Sequence, residues 1–593
     1  QWIAAPKDPA DLYTRMAYVR ENHWKLTHLL NYNQTFHKHD IGMLLGFEEE
    51  RFAKRTTDTA KLGLIDSSVG DPSSATTPSS ISGTGEEFTS RSYFGRINYA
   101  FDSRYLFEVN MRYDGSSRFA PDNRWGLFPS FSAGWRISEE KFMKGLPIDN
   151  LKLRASWGKL GNNAIGNYEW QAVYNSAKYA FGGSLNNGLA ITSISNNLLE
   201  WESTAITNIG IDFATLRNRL TFEAEFYNKV TDGILYRPDM YMSLGTASGP
   251  RQNIAEVTNR GIEMTLNWQD RIGKVEYRVS GNFAYNQNKV SQYKGELQRG
   301  WVTDENGNRV YQTNIGDVST GGSTRVIEGK MINEYYMLQP YKGSGNGFNA
   351  DGTVNINGGP RDGMIRTVDD MKWLNAMVGA GYKFYPRQNV SKSGIWYGDY
   401  IYADLNGDGV YGNDADNEFQ GCSNVPKYNF GLQASANWKG FDFSMNWSGA
   451  AGFKIYYYRL ALNSSATIKG YAIGEAIAND HYFFDPKNPN DPRTNLSSKN
   501  PRLTNNSGND QSGMTQSSVH LQKGDYIKLK NLTIGYTLPA VLSKKVYAQN
   551  IRFFASGENL FTITGYEGMD PEMRTAVGYS TMRQYAFGVN ITF

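Results

Sequence analysis

The sequence predicts an all-β chain: a large antiparallel transmembrane β-barrel with long extracellular loops. Three observations predict it. Gln584–Phe593 (QYAFGVNITF) places Tyr585, Phe587, Val589, Ile591 and Phe593 on one face of an extended strand, with small or polar residues on the other. A terminal strand with a bare apolar face suits lipid, and about ten tilted residues cross a bilayer as a strand. Composition agrees: aromatics reach 14%, only 40% of the 593 residues are apolar, and mean hydropathy is −0.54. No apolar run is long enough for a transmembrane helix, whereas barrel strands hide their apolar face inside an alternating sequence.

Similar patterning recurs along the chain. Ala10–Arg20, His23–Phe36 and Lys38–Glu48 read as three strands joined by short turns. Residues 51–89 read as a loop, because KRTTDTAK is charged and DPSSATTPSSISGTG is rich in Ser, Thr, Pro and Gly. Ser90–Ala100 and Tyr105–Tyr113 follow, joined through Asp102–Ser103. In the second of these, Leu106, Glu108, Asn110 and Arg112 oppose the aromatic and aliphatic face. Charges there suit a wet lumen better than a dry core. Trp125–Ile137, Leu151–Lys159, Ile206–Ala214, Leu220–Lys229, Gly261–Gln269, Val275–Tyr285, Tyr428–Trp438, Phe441–Gly449, Asp525–Tyr536 and Ile551–Asn559 continue the pattern. With the final segment the chain holds roughly sixteen strands. Tyr105, Tyr113, Trp125 and Trp135, near strand ends, fit interfacial girdles.

Long connections at about 160–200, 230–260, 286–427 and 450–524 separate the strands, and would form the outer surface of a barrel. Trp170, Tyr241, Trp301, Tyr335, Tyr336, Trp373 and Trp396 punctuate them. Such rings can stack on sugars or grip peptide side chains, but for any single ring the favoured reading is that it packs the loops onto each other.

Net charge is +3, so nothing global favours nucleic acid. The single cysteine, Cys422, excludes an intrachain disulfide and a Cys-based zinc site. The first residues lack the pattern of a signal peptide. His37 and His39 share a face but have no third ligand nearby, so they read as hairpin-surface residues. Without a P-loop, nucleophile elbow or zinc-protease motif, the chain reads as a non-enzyme.

Asp404–Asp416 (DLNGDGVYGNDAD) is the candidate metal site. Asp404, Asn406 and Asp408 occupy positions 1, 3 and 5 of a calcium loop, Gly409 permits the turn, and the Val410 carbonyl follows. Position 12 is Ala415, so Asp416 would have to supply the last ligand. A structural calcium ion and a loop capped by its own Asx side chains both fit this pattern.

Several stretches resemble the TonB-dependent outer-membrane transporters of the SusC family, found in Bacteroidota. They are NYAFDSRYLFEVNMRYDGSSRFAPDNRWGLFPSFSAGWRISEE (Asn98–Glu140), LKLRASWGKLGNN (Leu151–Asn163), EWESTAITNIGIDF (Glu200–Phe213), TNRGIEMTLNW (Thr258–Trp268), GDYIYADLNGDGVYGNDAD (Gly398–Asp416), GDYIKLKNLTIGYTLP (Gly524–Pro539) and ENLFTITGYEGMDPE (Glu558–Glu572). The resemblance implies a bacterial outer-membrane location and a barrel of roughly 22 strands around an N-terminal plug. It also implies a SusD-like surface lipoprotein as lid, TonB as energy source, and oligosaccharides, or in some members peptides, as substrate. Neither a plug nor a TonB box is recognisable here, so residues 1–593 are expected to be the C-terminal part of the barrel domain, with TonB engaged through the missing part. A passive porin, a glycan-binding surface adhesin and a secreted glycosidase are the alternatives. The last would need a cleft with paired carboxylates, which sequence does not reveal.

Overall fold

The structure, a computed structural model, describes all residues except 1–11, 65–67, 238–248, 458–474, 504–515, 575–578 and 580. Fifteen strands form one antiparallel sheet in which the neighbours are consecutive in sequence order. The first six are β1 (Tyr13–Phe36), β2 (His39–Leu64), β3 (Ala75–Phe101), β4 (Tyr105–Ser116), β5 (Trp125–Arg136) and β6 (Ile148–Asn162). The next four are β7 (Glu202–Thr215), β8 (Leu220–Tyr236), β9 (Gln252–Ile272) and β10 (Val275–Gln292). The last five are β11 (Tyr428–Trp438), β12 (Phe441–Ala451), β13 (Tyr526–Thr537), β14 (Asn550–Thr564) and β15 (Gln584–Thr592). The chain divides into two compact units, residues 1–213 with 227–257, and residues 214–226 with 258–593.

In the first unit the alternation read from sequence becomes a two-faced wall. Tyr105, Phe107, Val109, Met111 and Tyr113 of β4 are all exposed, while Leu106, Glu108, Asn110 and Arg112 are half-buried. Register aligns like with like: Val109 lies between Ile97 and Phe131, whereas Glu108 lies between Asn98 and Ser132. The apolar face is bounded at both ends by rings. At one end Phe47, Tyr93, Trp125 and Tyr113 form a chain with centroids 5.4, 6.2 and 4.8 Å apart. At the other, the Tyr105 hydroxyl and the Trp135 indole N–H both donate to Glu140, at 2.6 and 3.2 Å. Tyr105 to Tyr113 is about 27 Å along the strand, or roughly 20 Å at a barrel tilt, close to the lipid-facing band of such barrels. Beyond the Tyr93 end the same face turns ionic, with Glu49–Arg91 at 3.0 Å and Arg51–Glu87 at 3.1 Å.

Tight turns close the opposite end. Asp102 and Ser103 take φ of 52° and 53°, and Lys439 and Gly440 take 47° and 90°. Left-handed pairs of this kind match the twist of hairpin strands.

Three expectations are corrected. Ala10–Arg20 and His23–Phe36 are not two strands: Tyr13–Phe36 runs unbroken, which reduces the expected sixteen or so to fifteen. Of residues 51–89, Arg51–Leu64 and Ala75–Thr89 are strand rather than loop. β2 and β3 stay paired from Arg51↔Thr89 to Leu64↔Ala75, and a register shift after Ala60 absorbs the irregularity near Pro78. This ribbon is largely polar and wet on both faces, so hydrophobic alternation could not reveal it. Residues 160–200 contain an antiparallel hairpin, Val173–Phe181 with Ser184–Ser193, turning at Gly182–Gly183. The connections at 230–260 and 286–427 also begin as strand, since β8 continues to Tyr236 and β10 to Gln292.

In the second unit, the connections between β10 and β11 and between β12 and β13 build a packed loop body with a core of its own. Met364, Ile365, Trp373, Leu374, Met377, Ile401, Tyr402 and Tyr482 are essentially inaccessible. Helix α1 (Val368–Gly379) carries part of this core. Thr367 caps it, accepting from the Asp370 N–H while the Asp370 carboxylate accepts from the Thr367 N–H.

Candidate functional site

Two concave surfaces stand out, one in each unit. The first is the polar face of the wall in the first unit. Asp40, Asn98, Glu108, Ser132, Lys152 and Arg154 line a concavity of about 580 Å³ there. Arg154 and Lys152 share Asp212 at 3.0 and 3.6 Å. Because strand side chains alternate, every polar residue here backs onto an apolar one on the opposite face. A surface of paired charges and amides stays hydrated.

The second surface lies in the loop body. Trp396, Tyr397, Phe483, Phe484, Arg493 and Arg502 line a concavity of about 670 Å³. Buried Tyr397 meets Trp396 and Phe484 edge to face, at 5.2 and 5.0 Å. Arg502 is bidentate to buried Asp399 at 2.9 and 3.0 Å. Burial pushes the Asp399 carboxyl up, and the Arg502 fork pulls it back. Arg493 holds Asp491 at 2.7 Å and covers the Phe483 ring at 4.5 Å. Asp491, which accepts from the Arg493 guanidinium and the Arg493 backbone N–H, is held down to about 2. The frame is rigid: Phe483 and Asn495 exchange backbone hydrogen bonds, and Arg366 donates to the Leu496 and Ser498 carbonyls.

The structure scatters the aromatic candidates. Trp373 is fully buried, donates to the Asn355 carbonyl at 2.8 Å and stacks on Tyr341. Any side chain at Gly359 would collide with its ring. Tyr335 and Tyr336 are buried as well, and burial pushes the Tyr335 phenol up to about 12. These three rings are core, which corrects their reading as ligand contacts. Trp170 is half-buried against the cluster of Phe119, Ile165 and Leu199. Trp301 keeps an exposed ring beneath Arg309, and its indole N–H donates to the Asn406 carbonyl at 2.7 Å. Tyr241 lies outside the described residues.

Asp404, Asn406, Asp408, Val410 and Asp416 come together in one loop, but their oxygens face its own backbone. Gly407, Asp408 and Gly409 donate N–H to Asp404. Leu405, Gly412 and Asn413 donate to Asp416 at 2.7–3.0 Å, and the Val410 N–H donates to Asp408. Asp416 is fully buried, and desolvation pushes its carboxyl up to about 6. Among the described residues no three His, Cys, Asp or Glu side chains converge as metal ligands. These contacts are those of an Asx-capped loop.

Sequence reading missed one cluster. Lys528 of β13, only 2% exposed, holds Asp570 at 2.8 Å and Glu572 at 2.7 Å, and Lys530 holds Glu572 at 2.6 Å. The clamp pins the β14–β15 connection to the wall. Its parts were visible as IKLK and GMDPE, but nothing in either segment shows that they meet.

A TonB-dependent receptor-like β-barrel family model matches residues 6–560. The chain belongs to this family. TonB-dependent receptor P39 of Formosa agariphila is 30% identical across 95% of this chain and 52% of its own length. TonB-dependent receptor SusC of Bacteroides thetaiotaomicron is 27% identical across 85% of this chain and 43% of its own. The solved RagAB peptide transporter superposes with a TM-score of 0.73 at 21% identity, covering 98% of this chain and 56% of that one. At that identity it shows the fold alone. This SusC-like chain spans about half the length of the curated relatives it matches. It is an outer-membrane β-barrel chain of a transporter and receptor family.

Proposed function

We propose that the chain forms wall, lumen and much of the mouth of an importer of oligomeric nutrients, with oligosaccharides favoured over peptides. A SusD-like surface lipoprotein covers the mouth, and TonB supplies the energy through a part of the receptor outside these residues. The observation that carries the reading is the two-faced wall: an apolar band edged by aromatic rings on one face, paired charges and amides on the other. A sandwich adhesin or a secreted glycosidase would bury both sheet faces, whereas this face is bare.

The test is extraction of the native membrane complex, with peptide mapping of the receptor and identification of co-purifying chains, followed by uptake assays with and without the proton gradient. Gradient-dependent uptake with a co-purifying lipoprotein sustains the proposal. Gradient-independent uptake would make the protein a passive porin.

A further inference from the structure

At the short-turn end of the second unit, two neighbouring turns bring two lysines to one concavity. Strand β9 turns into β10 at Gly273–Lys274, and β11 into β12 at Lys439–Gly440; Gly273, Lys439 and Gly440 all take positive φ. The register Val275↔Trp438 sets the two turns side by side. Lys274 and Lys439, both exposed, line a concavity of about 290 Å³ together with Trp438, Gly440, Phe441 and Thr537. The two acids of the lining, Glu276 and Asp442, are already matched. Arg271 faces Glu276 at 3.7 Å, and Arg552 is bidentate to Asp442 at 2.8 and 2.5 Å. Neither lysine has a carboxylate partner among the described residues; Lys439 instead covers the Trp438 ring at 5.4 Å.

Two like charges at one concavity repel unless an anion lies between them. The aromatic row beside them favours a lipid as the source of that anion. Trp438, Phe441, Tyr536 and Phe553 are successive cross-strand neighbours, and the Trp438–Phe441 and Phe441–Tyr536 centroids are 6.2 and 4.5 Å apart. Trp438, Phe441 and Phe553 leave nearly half their surface bare. Such rows lie at headgroup depth, and the short turns of these barrels face the periplasm. A phosphate between the lysines would let its acyl chains run along the row. The ammonium of a zwitterionic headgroup would meet the lysines; a headgroup without a cation would not.

We propose that Lys274 and Lys439 hold the phosphate of one anionic phospholipid of the periplasmic leaflet. This concerns how the barrel is seated in its membrane and is independent of what it carries.

The test is native mass spectrometry of the full-length receptor in detergent, delipidated and titrated with phosphatidylglycerol or phosphatidylethanolamine. Phosphatidylglycerol should bind at one site at least ~10-fold more tightly. Lys274→Gln and Lys439→Asn, the latter a residue that tolerates the left-handed turn, should each weaken it about fivefold, and the pair about 25-fold. Lys274→Arg, which keeps the charge, should retain the affinity, and so should Lys544→Gln, which removes an exposed lysine from outside the concavity. Equal affinity for the two lipids overturns the site, as does an unchanged double variant. Equal weakening by Lys544→Gln would make the binding a diffuse surface effect, and displacement of the lipid by equimolar glycerol 3-phosphate would make it a free-anion site; either result also overturns the proposal.

Discussion

The wall and the loop body obey opposite rules of burial within one chain. On β4 all five residues of the apolar face are exposed, whereas Trp373, Tyr402 and Tyr482 of the loop body are within 1% of complete burial. The wall presents apolar side chains to lipid and draws its order from the strand ladder; the loop body hides them from water and draws its order from packing. Equal truncations should therefore have unequal effects. Trp373→Ala is expected to cost the loop body about 3–5 kcal/mol, the range for emptying an aromatic site. Hydrogen exchange should show lost protection across 338–402, with strand content by circular dichroism unchanged. Phe107→Ala on the lipid-facing side should cost far less, since acyl chains refill the space. Equal losses at the two sites would dissolve the distinction.

The clamp on β13 sharpens the contrast, because it places water-type ion pairing on a wall strand. Lys528→Ala leaves Asp570 and Glu572 facing a buried gap and is expected to cost about 3–5 kcal/mol. Lys530→Ala, at a side chain 31% exposed, should cost below about 1 kcal/mol. Limited proteolysis of the β14–β15 connection reads the difference. If both variants behaved alike, burial would not be what gives the Lys528 pairs their strength.

A charge placed in the lipid-facing band tests the wall directly. Val109 stands midway between the two rings of aromatics, opposite Ile97 and Phe131. Val109→Arg should destabilise the barrel by about 2–4 kcal/mol, read by urea unfolding in bilayers, whereas Asn110→Arg on the polar face should stay near neutral. Neutral behaviour of Val109→Arg would mean this face does not meet lipid.

How much of this was legible depended on which solvent each segment faces. Lipid on one side and water on the other force a period of two, and so Tyr105–Tyr113 and Gln584–Phe593 could be read residue by residue. The ribbon of Arg51–Leu64 and Ala75–Thr89 meets water on both faces; nothing imposes alternation, and its Thr and Ser content resembles a loop. Outside helix α1, where Met371, Leu374 and Met377 recur at helical spacing, the loop body has no sustained period. Trp373 and Trp396 lie in the same connection with similar polar neighbours, yet one is core and the other lines a concavity. Only contacts distant in sequence, such as Trp396 with Phe484 through Tyr397, separate them.

Asp416 carries that lesson to a single group. Desolvation pushes its folded carboxyl up to about 6 from the ordinary value near 3.8, so between those values the folded loop favours the protonated form. Stability of the loop should therefore be highest near pH 4, fall as pH rises toward 6, and level off above it. Exchange protection of 404–416 measures this, and Asp416→Asn should remove the slope. A slope of the opposite sign would mean that the backbone N–H donors outweigh desolvation.

Calcium is expected to produce the smallest change. The backbone donors already occupy Asp404, Asp408 and Asp416, so millimolar Ca²⁺ or its chelation should move the melting temperature of the purified receptor by less than about 1 °C. A rise of several degrees that Asp404→Asn abolishes would restore the clamp that the spacing suggests. In that case the ion would also hold Asp416 ionised and erase its pH slope. Because the two effects are linked through the same carboxylate, calcium without a change in slope would place the ion elsewhere in the receptor.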